Sequence, residues 1–148
     1  DIFAYTAAKL AAGIIDFNGV GPSYPLEEIV LFRQDMIKAR IDGQTVKGIV
    51  SSISDPFGSI ALNVLSGDFK SAGFSHGETL HVTLSNKETI YFEKDVLYEK
   101  SFGFVEVGDP ILFDSSTNYI ELGINQGNFR DQFQVKSGSD FTFVISRS

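Results

Sequence analysis

From Ile29 onward the sequence holds no helical period for long, and this constrains the fold more than any other feature. Short apolar runs recur between turn residues: Ile29 to Phe32, Met36 to Ile41, Thr45 to Ile53, Ile60 to Val64, Glu78 to Leu84, Thr89 to Phe92, Pro110 to Phe113, Tyr119 to Ile124 and Phe141 to Ser146. Asp42-Gly43 sits between two of them as a hairpin turn signal. Ser66 to Ala72, with Gly73 behind it, predicts one short helical turn between strands. Many short strands with regular turns predict a mainly β fold, an antiparallel barrel or sandwich. Phe141, Phe143 and Ile145 alternate along the last run and are expected to face its core.

Composition narrows the function. A chain of 148 residues, 43% of them hydrophobic with 14 Phe and 14 Gly, is that of one folded domain. Such a length buries roughly two-thirds of its unfolded surface, so stability needs no disulfide or cofactor. A net charge of -7 with no Lys/Arg run opposes binding to a phosphate backbone, and nucleic acid is not an expected partner. Without cysteine there is no thiolate metal site and no cysteine nucleophile. The two histidines, His76 and His81, do not have the spacing or setting of a zinc pair, and are read as surface or half-buried side chains. No apolar run approaches the ~20 residues of a membrane span, so no membrane partner is expected and the expected location is cytoplasmic.

Ahead of the strands, Phe3, Ala7, Leu10 and Ile14 fall on one helical face, with Asp1 placed to cap it and Gly13 to stop it. Gly19, Gly21, Pro22 and Pro25 then mark an extended linker from about Asn18 to Pro25. Opening at Asp1 rather than Met, the sequence reads as a piece of a longer protein.

The chemistry-bearing stretch is Asp114 to Asn128, D-S-S-T-N-Y-I-E-L-G-I-N-Q-G-N. It sets a short strand between two clusters of hydroxyls, amides and glycine, which can form two ordinary turns or present hydrogen-bonding groups to a flat polar ligand. Asp114 and Glu121 are conceivable as an acid and base, yet acidic residues are frequent here and read as mostly solvated. Ser115 and Ser116 lack His and Asp partners for a hydrolase triad.

Three motifs in order resemble one family, the S-adenosylmethionine hydroxide adenosyltransferases, which includes the fluorinase and chlorinase. The opening D-I-F-A-Y-T-A-A-K-L-A-A-G resembles that family's D-I-F-x-x-x-A-A-x-L-A-x-G helix; Asp55-Pro-Phe-Gly-Ser-Ile-Ala-Leu-Asn63 resembles P-F-G-N-x-x-T-N; Ser115 to Asn128 resembles S-S-G-x-L-E-I-A-V-N-Q-G-N. The resemblance implies displacement at the ribose 5′ carbon of S-adenosylmethionine with methionine leaving, by water to give adenosine or by halide to give a halogenated nucleoside. Catalysis of that kind rests on positioning and partial desolvation. It implies no cofactor beyond the substrate itself, and a small antiparallel β-barrel as the fold of residues 26–148. Residues 1–25 would be the last helix and linker of an amino-terminal α/β domain that handles the nucleophile. In such enzymes the active site forms between subunits, usually in a trimer.

By the same resemblance Asn125 reads the adenine edge, the backbone at Gln126 and Gly127 approaches that ring, Tyr98 stacks on it, and Ser115 or Ser116 binds the methionine carboxylate. Ser59 stands where the family commonly has Asn, Ala61 where fluorinase-like members have a bulky aromatic, and Thr117 near the place of the halogenases' arginine. The chain is therefore expected to be the substrate-binding part of an adenosine-forming hydrolase, inactive without its other domain and with no catalytic residue of its own. The alternatives are a SAM-dependent halogenase, a non-enzymatic adenosine- or S-adenosylmethionine-binding module, and a structural barrel whose pocket has decayed.

Overall fold

The opening helix stops where a glycine lets the chain reverse. In the computed structural model, which describes residues 2–29 and 38–147, α1 spans Ile2–Ala11. Gly13 N donates to Leu10 O and Ile14 N to Lys9 O, closing the helix over Gly13 at φ +66°. No residue of α1 is buried, and the expected apolar face stands open, with Phe3 86% and Ile14 69% exposed. Single 3-10 turns at Asn18–Val20 and Leu26–Glu28 punctuate the linker that follows. The chain divides into two compact units, Asp1–Leu31 and Phe32–Ser148, and the sheet belongs to the second. The cap assigned to Asp1, the strand expected at Ile29 to Phe32 beyond Ile29 itself, and the start of Met36 to Ile41 lie outside the described residues. No described helix is long and apolar enough to cross a membrane.

Eight strands follow: β1 Arg40–Asp42, β2 Thr45–Ser54, β3 Ser59–Leu65, β4 Thr79–Asn86, β5 Thr89–Tyr98, β6 Pro110–Asp114, β7 Tyr119–Ile124 and β8 Gly138–Arg147. Seven of them close a barrel among the described residues, in the order β2-β3-β7-β6-β5-β4-β8 and back to β2, while β1 extends one edge of β2 through the expected hairpin. Closure depends on the length of β2. Its first half pairs β8, from Thr45 with Ser146 to Ile49 with Thr142, and its second half pairs β3, from Val50 with Leu62 to Ser54 with Ser59. The register shifts at Val50, where such an irregularity bends a strand toward closure.

Inward positions alternate along each strand. Phe141, Phe143 and Ile145 of β8 join Val46, Ile60, Leu62, Leu80, Val82, Leu84, Leu112 and Leu122 in one buried cluster, as their alternation predicts. The expected helical turn is α2, Ser66–Ser71, whose Phe69 stacks on Phe74 at 4.3 Å and meets Tyr98 edge-on at 5.1 Å.

Two features depart from the expectation. The barrel is mixed rather than wholly antiparallel, because β5 and β6 run parallel, Leu97 opposite Ile111 and Tyr98 opposite Leu112. Parallel neighbours cannot be joined by a tight hairpin, and the segment Glu99–Asp109, with a 3-10 turn at Phe102–Phe104, makes the crossover. The second is α3, Phe129–Phe133, a short helix whose Phe129 and Phe133 pack on Phe92 of β5 at 5.0 and 4.8 Å.

Gly48 lies at the β2–β8 seam, where a Cβ would collide with the Asn63 amide oxygen and come within 2.7 Å of the Phe143 ring. That amide oxygen accepts the Ile49 N–H at 2.8 Å, so it has little room to move. Gly48→Ala is expected to destabilise the chain by roughly 1–3 kcal/mol through overpacking, read as a lowered urea midpoint with an unchanged slope.

Candidate functional site

Strands β3, β7 and β6 lie side by side, and the period of two gives each an inner and an outer row. On β7, Ile120, Leu122 and Ile124 belong to the core, which turns Glu121 and Gly123 outward. Opposite them stand Ala61 of β3 and Phe113 of β6, each in register with Glu121. A Cβ on Gly123 would lie 2.7 Å from Ser59 Oγ and 3.0 Å from the Phe102 ring, so only glycine admits this approach of crossover to sheet. Phe102 packs on Phe113 at 4.9 Å. Over this floor opens a cleft of approximately 790 Å³.

Six of the seven residues expected to bind substrate line it: Ser59, Ser115, Ser116, Asn125, Gln126 and Gly127. At one end Gly127 N donates to Ile124 O at 3.2 Å, with Gln126 at φ 56°, so the four residues form a tight turn. Asn125 Nδ2 donates to Val105 O at 2.9 Å, which ties the turn to the crossover. At the other end the β6–β7 hairpin turns through Ser115–Asn118, with Asn118 N on Ser115 O at 3.0 Å and the Ser115 and Thr117 hydroxyls 2.8 Å apart.

The P-F-G loop forms the rim. Gly58 adopts φ +71° and a Cβ there would overlap the Asn128 side chain. Asn128 Oδ1 accepts from Asp131 N at 2.9 Å as the cap of α3, while its Nδ2 donates to Pro56 O at 3.3 Å. Arg130 N donates to Gly58 O, and the Arg130 guanidinium lies 2.6 Å from Asp55 Oδ1. These bonds hold Phe57, 73% exposed, on the edge of the cleft.

Tyr98 does not join the other six. It is fully buried, edge-on to Phe69 and 4.7 Å from the His76 ring, and its hydroxyl donates to Asp114 Oδ1 at 2.8 Å. Its position, inward at the end of β5, serves the core and a part-buried polar cluster beside the cleft. Lys70 Nζ lies 2.6 Å and His76 Nε2 2.9 Å from Asp114 Oδ2. Burial pushes the Asp114 carboxyl up, but the hydrogen bonds from Lys70, Tyr98 and His76 outweigh it and hold its pKa at about 2. Burial, then the adjacent Asp114, pushes the Tyr98 phenol far above its usual range.

Asp114 and Glu121, read from sequence as solvated, both line the cleft. Sequence reasoning also passed over Phe102, Phe113 and Asn128. For Glu121 the signal was present: a carboxylate at an outward position in an otherwise apolar strand. For Phe102 there was none, because its place follows from the crossover. Among the described residues no group of three or more His, Asp or Glu has the arrangement of a metal site.

Residues 51–142 match the family described as the SAM hydroxide adenosyltransferase C-terminal domain, a span containing every side chain that lines the cleft. The chain belongs to this family. It is 27% identical over 143 residues to a fluorinase of Actinoplanes sp. (strain N902-109), covering 96% of this chain and 46% of that protein. With a fluorinase of Actinopolyspora mzabensis it shares 28% over 139 residues, 93% of this chain and 44% of the relative. The chain thus spans a little under half the length of these curated relatives. Among solved structures, an uncharacterized conserved protein from Thermotoga maritima superposes with a TM-score of 0.73 at 26% identity, over 99% of this chain and 51% of the other. A conserved hypothetical protein from Thermus thermophilus shares the fold at a TM-score of 0.60 and 24% identity, over 97% of this chain and 50% of that one. SAM hydroxide adenosyltransferase C-terminal domains are thus represented here by a closed barrel with an external cleft.

Because the Asp114 pKa is depressed in the folded state, its stabilising contribution is present above the unfolded carboxylate range near pH 4 and is lost as pH falls toward 2. Tyr98→Phe removes one of the bonds that depress it. The variant is expected to lose about 1 kcal/mol at pH 7 and to show a smaller loss of stability on acidification than the parent between pH 4 and 2, measured by urea unfolding across that range.

Proposed function

We propose that this chain binds S-adenosylmethionine in the cleft, as the barrel part of an enzyme that displaces methionine from the ribose 5′ carbon. Adenine would lie against the Asn125–Gly127 turn and the amino-acid end against Ser115 and Ser116. One observation carries the reading: six residues, brought from three separate stretches of sequence, converge on a single cleft within the span that matches the family. An Asn amide offers both a donor and an acceptor to the edge of a purine. Gln126 and Gly127 line the cleft, where the backbone of their turn would lie against the ring, and the missing side chain of Gly127 makes room for Ile124. Phe57, Phe102 and Phe113, rather than Tyr98, supply the aromatic surface, and stacking on such a ring is worth about 1–3 kcal/mol per base in nucleic-acid complexes.

In this reaction the nucleophile bonds to the 5′ carbon as the carbon–sulfur bond breaks. Methionine leaves with the electron pair, which neutralises the sulfonium. The barrel's task is to hold the substrate in line and dry. The groups that handle the nucleophile are assigned to an amino-terminal α/β domain, to which residues 1–25 would belong, and the complete site to a trimer of such subunits.

Two nucleophiles are open to this arrangement. The fluorinase names of these relatives favour halide. Thr117, near the place of the halogenases' arginine, is the residue that favours water and an adenosine-forming hydrolase. Product analysis separates them: the chain supplemented with a separately made amino-terminal domain is incubated with S-adenosylmethionine, with and without fluoride or chloride. Adenosine alone marks the hydrolase and a 5′-halogenated nucleoside the halogenase, while binding with no turnover marks a non-enzymatic module.

The binding site itself is tested without turnover. Asn125→Ala is expected to weaken adenosine binding to the chain by roughly 1–3 kcal/mol, the cost of a lost buried hydrogen bond, in a calorimetric titration. An unchanged affinity would remove Asn125 from the site, and no adenosine binding by the parent chain would leave the structural-barrel reading.

A further inference from the structure

We propose that Glu121 is the group by which the cleft recognises the positive charge of a sulfonium nucleoside. The proposal rests on the nucleoside reading above and assigns a role to a residue which that reading does not use. Glu121 is 9% exposed, and what it exposes opens into the cleft. Its carboxylate makes no side-chain hydrogen bond or ion pair with any described residue. Asp114, the other acid lining the cleft, already has both oxygens occupied by Tyr98, Lys70 and His76. No Lys, Arg or His is among the described residues that line the cleft.

A ligand that fills the cleft takes this carboxylate out of water, which is costly unless a positive partner meets it. The described residues supply none, so the cleft they form favours a ligand that brings its own cation.

Position selects which cation. The amide turn at Asn125–Gly127 and the hydroxyls at Ser115 and Ser116 mark the two ends of the cleft. Glu121 lies between them, four residues along the strand from Asn125 and in register with Phe113, two residues before Ser115. In a nucleoside whose base occupies one end and whose amino-acid carboxylate occupies the other, the middle is the sulfur. Glu121 therefore faces the sulfonium, and a neutral thioether at the same point loses that attraction.

The experiment is a calorimetric titration of the chain with S-adenosylmethionine and with S-adenosylhomocysteine, which lacks only the sulfonium methyl group and its charge. Sinefungin, which carries an amino group on the carbon replacing sulfur, is included to restore a charge there. The parent chain is expected to prefer both charged ligands over S-adenosylhomocysteine by about tenfold, the scale of one buried charge interaction. Glu121→Gln, which keeps shape and removes charge, is expected to bring all three within about twofold by weakening only the charged ligands. Retention of the preference in Glu121→Gln, or an equal loss for charged and neutral ligands, overturns the proposal. So does equal binding of all three by the parent, which requires no variant to fold. If the parent binds none of these ligands nor adenosine, the nucleoside reading itself has failed. If adenosine binding depends on Asn125 while the charge preference ignores Glu121, only the present proposal has.

Discussion

The parallel pairing of β5 with β6 is the constraint on which the candidate site depends. An antiparallel neighbour would have been reached by a tight turn; a parallel one obliges the chain to cross back. The crossover Glu99–Asp109 passes over the outer face of the sheet, where Phe102 settles on Gly123 and Val105 offers its carbonyl to Asn125. One wall of the cleft is thus a topological by-product of the strand order. The small side of the contact falls at Gly123 because any Cβ there would meet both Ser59 and the Phe102 ring.

The opposite rim is held by a different device. The Asp55–Gly58 loop and the Asn128–Phe133 segment are far apart in sequence, yet each satisfies polar groups of the other. Asn128 caps its own helix and also donates to the loop, and Gly58 yields the space it needs. Two of the motifs that carry the family resemblance therefore act as one structural unit, in which the glycine of P-F-G makes room for the last asparagine of N-Q-G-N.

Much of the barrel was legible because alternation and turn chemistry are local. Tyr119 to Ile124 and the Asp42-Gly43 hairpin could be read residue by residue, and Phe141, Phe143 and Ile145 face inward as their spacing requires. The parallel pair was not legible, since strand direction is set by what lies beyond the strand. Nor was α3, Phe129–Phe133, too short to display a period and started by Asn128, which caps it through Asp131 N and also donates to Pro56 O. For the candidate site, the polar clusters at Ser115 and Asn125 stand out in the sequence and line the cleft, whereas Tyr98 lies in the core. An aromatic near the end of a strand looks the same in sequence whether it turns toward ligand or core, and here Asp114, Phe69 and His76 turn it inward. Glu121 was dismissed for the converse reason: abundant acids elsewhere on the chain disguised one that is enclosed.

The two-residue period of β7 has an evolutionary consequence. Ile120 and Leu122 answer to packing, while Glu121 answers to whatever sits in the cleft, and the two kinds of position share a strand without sharing a face. Selection on ligand preference can act at position 121 while the inner row keeps the barrel closed. A lineage can then change its chemistry by drift across a surface, with no passage through an unfolded ancestor.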